Sequence, residues 1–465
     1  MKIVYWIYNF LWGDLVKIPL PGGNSVVLSL LVLILVPAGI FFMIRTRFLP
    51  IRLFPDMIKI TVSTEKKSDG LSGLQALIVS TATRVGMGNL VGVVAAVSAG
   101  GAGAVFWMWV TAIVGSATAF IEATLAQIYK EKDPLYGGYR GGPAYFLHSL
   151  AERVRGKKLK RSVLAVLFAI SGLICWCGIS QVIGNSVSTS LKNAFHIPTL
   201  WTAVALTIVS AVIVLRKNAT VKVLDVVVPI MAGCYFFVTV FIILKNVGQL
   251  PAIFERIFAE AFGIRQVVAG GFGAVIMNGV KRGLFSNEAG SGSAPCAAAA
   301  ADIDHPTKEG LLQALGVFID TLVICSCSAM LMLLAPEETV SGLAGMDLLQ
   351  SAMEYHMGQA GVVFIAVMLL LFSFSTFIGI LFYARSNVAY LFGDNWLSQT
   401  LYKILALVML FIGCQAAYTF VWDLGDVGIG LMTIFNMIAL FPLSKEAIAS
   451  LKDYETKKKK GELSL

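Results

Sequence analysis

Charge is scarce in this chain. Only 14% of its 465 residues are Asp, Glu, Lys or Arg, against 57% hydrophobic residues, and its mean hydropathy of +0.80 lies outside the range of soluble globular domains. Histidine is scarcer still: His148, His196, His305 and His356 are scattered outside or near the ends of the apolar stretches, in no metal-binding pattern. No HExxH motif and no nucleophile elbow is present, so a membrane enzyme lacks its minimal chemistry here. The glycine-rich "YGGYRGGP" at 136–143 lacks the lysine and following Ser/Thr of a phosphate loop and reads as a gate or connector. The seven cysteines, Cys175, Cys177, Cys234, Cys296, Cys325, Cys327 and Cys414, lie in or beside apolar stretches, without the loop spacing of a disulfide framework or zinc site. They read as small packing residues. The formal charge of +9 is dispersed, with no basic face interleaved with aromatics, which argues against a nucleic-acid partner.

What the chain does have is apolar runs of about 20 residues, enough to cross roughly 30 Å of hydrocarbon, along almost its whole length. We expect an all-α integral membrane protein of about eleven spans, near 26–44, 71–99, 102–128, 163–191, 200–215, 224–244, 266–294, 311–334, 362–391, 397–418 and 423–442. No segment remains for a sizeable soluble domain, so residues 1–465 read as a single transmembrane domain. The N-terminal "MKIVYWIYNFLWGDLVKIPLPGG" carries aromatic and polar residues where a signal peptide has its apolar centre, and reads as a retained interfacial amphipathic segment. The basic runs at 45–67, 130–161 and 216–222, and the tail "TKKKKGE", all fall on one side of this count. By the positive-inside rule that side is the cytoplasm, which places the C-terminus inside and the N-terminus outside the cell membrane.

Setting the first span aside leaves ten, which divide into two fives of opposite orientation. The organisation is then an N-terminal segment and extra helix at 1–70, a first repeat at 71–245, a second at 266–443, and a basic cytoplasmic tail at 444–465. Each five opens on a helix interrupted by glycine: "STATRVGMGNLVG" at 80–92, and "GGFGAVIMNGVKRGLFSNEAGSGSAP" at 270–295. Paired interruptions at matching places point to a secondary transporter with its site at the repeat interface. Close helix packing is the competing reading of the glycines. A broken helix frees amide groups that suit a carboxylate and carbonyls that suit a cation, and such backbone is tolerated at membrane depth only where it is buried in protein or lines a cavity.

Two longer stretches, "GGAGAVFWMWVTAIVG" at 100–115 and "KRGLFSNEAGSGSAP" at 281–295, resemble the alanine or glycine:cation symporter family, the sodium:alanine symporters. The resemblance implies a leucine-transporter-like fold of ten core helices, broken in the first and sixth, behind one extra helix. It implies alternating-access import of a small neutral amino acid of the alanine/glycine class, coupled to sodium as co-substrate and needing no other cofactor. By position, the carbonyls of Ala82 and Val85, the carbonyl of Phe372, and the hydroxyls of Ser375 and Thr376 form the sodium cage. Ser375 and Thr376 read alone are equally hydroxyls bonding back to their own helix. The amides around Gly86, Met87 and Gly88 face the substrate carboxylate, with Asn89 supporting the break.

From the other repeat, Gly283, Phe285, Ser286 and Asn287 face the substrate, and Gln181 is a hydrogen-bonding candidate. The family often sets a glutamine and an asparagine closer together in that helix than Gln181 and Asn185 stand here. Where many relatives have a tryptophan after "FSTFIG" this chain has Ile380, which leaves room for a side chain larger than that of alanine. Four buried charges are structural or coupling groups: Glu122, Glu288, Asp320, and Arg84, the last expected to pair with Glu288 or Glu122. A proton-coupled amino-acid transporter using Glu288, Glu122 or Asp320 is the nearest alternative, a passive channel a third, and an intramembrane enzyme the remote one. No protein partner is evident.

Overall fold

The computed structural model describes residues 2–19, 25–62, 72–216, 221–264 and 271–463. The first residues expected in the spans 71–99 and 266–294, and parts of the basic loops at 45–67 and 216–222, lie outside them. Among the described residues the chain is helical apart from two short antiparallel hairpins, Val16–Pro19 with Ser25–Leu28 and Glu131–Lys132 with Tyr139–Arg140.

The helices run in chain order as α1 (Lys2–Trp12), α2 (Leu30–Arg45), α3 (Leu49–Arg52), α4 (Phe54–Val62), α5 (Gly73–Thr83), α6 (Val93–Gly100), α7 (Gly103–Ile128), α8 (Pro143–Arg155), α9 (Val163–Phe195), α10 (Thr199–Val214) and α11 (Val221–Lys245). They continue as α12 (Leu250–Ala261), α13 (Gly271–Asn287), α14 (Pro295–Ala298), α15 (Pro306–Val317), α16 (Ser326–Leu333), α17 (Glu337–Val340), α18 (Gly345–Met357), α19 (Gln359–Phe392), α20 (Trp396–Gln415) and α21 (Tyr418–Lys459). Each expected apolar stretch contains helix among the described residues, although 26–44 begins in the strand Ser25–Leu28 and 266–294 leaves the helix after Asn287. Among the described residues eight helices are long and apolar enough to cross a membrane, and α2 and α10 are shorter apolar helices. The final helix departs from expectation, because it passes through Pro442 and continues to Lys459. The region read as a tail is therefore largely one helix, capped by a last turn that carries Lys457, Lys458 and Lys459 against the helix dipole.

The middle of the bundle is formed by α7, α9, α13, α15, α19 and α21, which pack on one another and around the interrupted helix α5–α6. Glycine makes the closest of these crossings possible: a Cβ on Gly279 would collide with the Ala104 carbonyl, and one on Gly428 with Cys175. All the cysteines are free thiols, and all but Cys234 are buried, in keeping with a packing role.

Lys281, Arg282 and Asp426 form a buried ionic cluster inside the bundle. Asp426 of α21 accepts both ends of the Arg282 guanidinium at 2.9 and 3.0 Å and lies 3.0 Å from Lys281 Nζ. The N-terminal helix reaches this cluster: Lys281 donates to Tyr8 at 2.7 Å and the Trp12 indole donates to the Asp426 carbonyl at 3.0 Å. The segment read as interfacial is thus fastened to the bundle at its end, while Ile3, Tyr5 and Trp6 remain exposed.

Candidate substrate and cation site

In the first interrupted helix the regular path fails at Val85 (φ −76°, ψ 71°) and Gly86 (φ −146°, ψ −144°). Two amides leave the helical ladder there. Gly86 N donates to Asn89 Oδ1 at 2.9 Å, and Met87 N donates to Thr376 Oγ1 of α19 at 3.0 Å. The Ala82 carbonyl, whose ladder partner is the Gly86 amide, thereby loses its regular donor. Gly86 keeps a negative φ, so left-handed backbone is not what the position demands. Space is: a Cβ there would overlap the Thr376 hydroxyl and stand 3.5 Å from the Phe372 carbonyl. Ser375 donates to that same carbonyl at 2.9 Å, which is the back-bond expected of a serine within a membrane helix. Gly86 and Met87 are therefore brought together with Phe372 and Thr376 at the break, with Ser375 on the Phe372 carbonyl.

Asp320 ties the two halves of the site. Its segment, Phe318–Cys325, is a π-helical stretch between α15 and α16, a local widening often found at functional positions. The fully buried carboxylate accepts from Asn89 Nδ2 at 2.8 Å, from Ser286 Oγ at 3.1 Å on each oxygen, and from Thr321 Oγ1 at 2.6 Å. One acidic group so joins the broken first core helix, through Asn89, to the end of α13, through Ser286. Gly88 completes the contact, since a Cβ on it would lie 3.3 Å from Ser286 Cα. Phe285 packs edge-on against Trp422, centroids 4.9 Å apart, and Arg282 lies over the Trp422 ring at 3.9 Å.

The second break follows Asn287. Glu288, Gly290 and Gly292 take φ of 58°, 92° and 83°, conformations that cost little for glycine but strain a glutamate. The strain at Glu288 is held by two anchors. Tyr383 donates to Glu288 Oε2 at 3.1 Å. Glu122 accepts from Gly290 N at 3.1 Å and from Asn436 Nδ2 at 2.8 Å, and Asn436 also donates to the Gly290 carbonyl at 2.9 Å. We predict that Glu122→Ala, which leaves the Gly290 amide without that acceptor and robs Asn436 of one, destabilises the protein by roughly 2–4 kcal/mol. Thermal unfolding in detergent checks this, with Glu122→Gln expected to recover about half by keeping one acceptor oxygen.

Arg84 corrects the expectation made for it. The buried guanidinium bonds neither Glu122 nor Glu288; Nη1 donates to the Gln313 carbonyl and side-chain oxygen at 3.1 and 3.0 Å, and Nε and Nη2 have no hydrogen-bond partner. Gln313 in turn donates to Glu309 at 2.7 Å. A neutral amide thus stands between a buried cation and a buried acid, and nothing in the sequence pairs these residues except the i, i+4 spacing of Glu309 and Gln313.

Three other candidates face away from the break. Gln181 of α9 donates to Met409 Sδ at 3.2 Å and its backbone lies against Gly413, so it belongs to the α9–α20 contact. Asn185 donates to the Ala416 carbonyl at 2.7 Å at the end of α20. Gly283 faces α7, where a Cβ would collide with Thr111, so its role is close packing. Asn287 accepts from Ala289 N at 3.0 Å and lines a small cavity with Thr111, Thr118 and Leu35. Ile380 is buried one turn beyond Thr376 on α19. Sequence reasoning missed Thr321, Tyr383, Asn436 and Asp426. Only Asp426 carried a usable signal, a carboxylate inside an apolar run.

The sodium:alanine symporter family matches residues 20–464. The chain is 40% identical to a Bacillus subtilis protein named "Probable sodium/glutamine symporter GlnT", over 93% of this chain and 89% of that one. It is 38% identical to the amino-acid carrier protein AlsT of Bacillus subtilis, over 97% and 94%, and 34% identical to the sodium/alanine symporter AgcS of Methanococcus maripaludis, over 98% and 97%. Among solved structures, a manganese transporter from Eremococcus coleocola superposes with a TM-score of 0.50 at 12% identity, covering 81% of this chain and 77% of that one. That likeness concerns the fold alone. The chain belongs to the sodium:alanine symporter family and is a multi-pass, sodium-coupled amino-acid symporter.

Proposed function

We propose that this protein imports a small neutral amino acid of the alanine/glycine class together with sodium, by alternating access, across the cell membrane, with its N-terminus outside and its C-terminus in the cytoplasm. The observation that carries the reading is the bond from Met87 N to Thr376 Oγ1 across the interrupted helix. It sets a freed amide, suited to a substrate carboxylate, beside a hydroxyl of the group Ser375, Thr376 and Phe372, suited to a hard cation. Sodium takes the carbonyls of Ala82, Val85 and Phe372 with the two hydroxyls. Binding there draws the broken helix and α19 together, and substrate binding between Met87–Asn89 and Phe285–Ser286 draws in α13. Coupling follows because each ligand favours the same closed arrangement.

Two repeats, 71–245 and 266–443, each supply one broken helix, and Asp320 spans the join. One positive charge entering across 100 mV contributes about 2.3 kcal/mol, or roughly fiftyfold accumulation, before the sodium gradient is counted.

Substrate size turns on Ile380. The GlnT name speaks of glutamine and the AgcS name of alanine, and an isoleucine one turn from Thr376 leaves volume that an indole would fill. The test is uptake of radiolabelled alanine, glycine, serine and glutamine into liposomes holding the purified protein. Wild-type protein is expected to take alanine and also to admit glutamine. Ile380→Trp is expected to lower glutamine uptake by roughly tenfold while sparing glycine, the scale of a steric pocket change. Equal loss of all four substrates contradicts the placement of Ile380 at the side-chain pocket.

A further inference from the structure

Between the extra helix and the first broken helix, α3 and α4 bury one side and leave the other open. Leu49, Leu53, Met57 and Ile60 are sealed against the bundle. On the opposite side Phe48, Ile51, Phe54 and Ile58 are 54%, 69%, 43% and 45% exposed, with Arg47, Arg52 and Lys59 exposed among them. The apolar residues follow one another at spacings of three, three and four, which lays them along one outward stripe.

The far end of the chain is bolted to α3 and α4. Lys458 of α21 reaches both oxygens of the buried Asp56 at 2.6 and 2.7 Å, Tyr454 donates to Asp56 at 3.3 Å, and Arg52 pairs with Glu455 at 2.7 Å. Both acidic groups are engaged inside the clamp. Exposed cations outnumber exposed acids around the clamp: Arg45, Arg47 and Lys59 from one segment and Lys459 and Lys460 from the other, against Asp453 and Glu462.

An apolar stripe edged by cations fits neither bulk water nor the hydrocarbon centre. It fits the boundary between them, where apolar side chains enter the acyl region and Lys and Arg meet phosphate. We propose that α3, α4 and the last turns of α21 form a docking surface for anionic phospholipids of the leaflet on the basic side of the membrane. Charge complementarity selects anionic over zwitterionic headgroups, and the four exposed apolar residues select a lipid over a free anion. The surface also touches the transport machinery: Phe54 packs against Phe318, centroids 6.4 Å apart, two residues before Asp320, and α4 packs along α15. Lipid on the outward side of α4 steadies its inner side against the helix that leads to Asp320.

The test uses the full-length protein in detergent, titrated with short-chain phosphatidylglycerol and, separately, short-chain phosphatidylcholine. Phosphatidylglycerol is expected to bind more tightly by roughly tenfold or more, and the combined Arg47→Gln, Lys59→Gln, Lys459→Gln, Lys460→Gln variant to lose that preference. A second variant, Ile51→Ser with Ile58→Ser, keeps every charge and is expected to weaken phosphatidylglycerol while leaving its salt dependence in place; it carries the test if the first fails to fold. In liposomes, sodium-driven uptake is expected to rise several-fold when phosphatidylglycerol is added to phosphatidylcholine, for wild-type protein and not for the charge variant. Equal affinity for the two lipids, or phosphatidylglycerol affinity unchanged in both variants, overturns the proposal. Complete displacement by glycerol phosphate also overturns it, because that outcome describes a free-anion site.

Discussion

Gly86→Ala is expected to abolish most uptake, by roughly a hundredfold in initial rate. The added Cβ overlaps the Thr376 hydroxyl, and behind it stands the Phe372 carbonyl at 3.5 Å. Thr376 has little room to yield, since a β-branched side chain within a helix holds few rotamers, and its hydroxyl is already the acceptor for Met87 N. Overpacking of this kind costs about 1–3 kcal/mol, and a buried amide that loses its acceptor costs about 1–3 kcal/mol more. At about 1.4 kcal/mol per factor of ten, about 1.5 kcal/mol from each of the two terms gives somewhat more than a hundredfold. Gly88→Ala is the control. Its Cβ would meet Ser286 Cα at 3.3 Å and Oγ at 3.5 Å, a tight contact with no overlap, and a loss of less than about tenfold is expected. Uptake by Gly86→Ala close to wild type would show that the break is not closed on Thr376 during transport.

Thr376→Val separates the hydroxyl from the shape. The side chain keeps its volume, the Met87 amide loses its acceptor, and the proposed sodium site loses one of its oxygens. The concentration of sodium giving half-maximal uptake is expected to rise about tenfold or more, the equivalent of one buried donor left unpaired. Thr376→Ser returns the hydroxyl and is expected to return most of the sodium affinity, whereas a defect of packing alone would persist in Ser and be milder in Val. Sodium titration of uptake at fixed substrate distinguishes the two outcomes.

The interruption at Arg84–Gly92 was legible in the sequence because glycine, arginine and asparagine together are out of place in an apolar run. Its physical reason was not. Glycine at position 86 suggests unusual backbone angles, yet the structure needs it because a threonine from a helix some 290 residues later occupies the Cβ position. The partners of Asp320 were hidden for a related reason, since Asn89, Ser286 and Thr321 are individually unremarkable polar residues on separate elements and acquire meaning only where the elements cross.

Arg84 shows the limit of pairing charges by arithmetic. Opposite charges within the bundle suggested a carboxylate, but the guanidinium ends on Gln313, a neutral group that periodicity cannot single out. Lys281, Arg282 and Asp426 could have been matched by charge, yet 144 residues separate Arg282 from Asp426 and no local signal joins them. Pro442 misled in the other direction. Proline ordinarily ends a helix, but here α21 runs through it, and the segment beyond is held by Asp56 and His305 through Lys458 and Asp453.

The claim at the centre of this account is that sodium and an amino acid meet at the interrupted helix and cross together. The most direct measurement loads liposomes containing the purified protein with sodium-free buffer, imposes an inward sodium gradient at fixed pH, and follows radiolabelled alanine, with choline replacing sodium in a parallel set. The account predicts accumulation above the external concentration in sodium, equilibration or less in choline, and loss of the sodium-dependent part in Gly86→Ala. Accumulation driven by an imposed proton gradient and indifferent to the choline substitution would contradict it, and would move the coupling site from Thr376 to the buried carboxylates Glu122, Glu288 and Asp320.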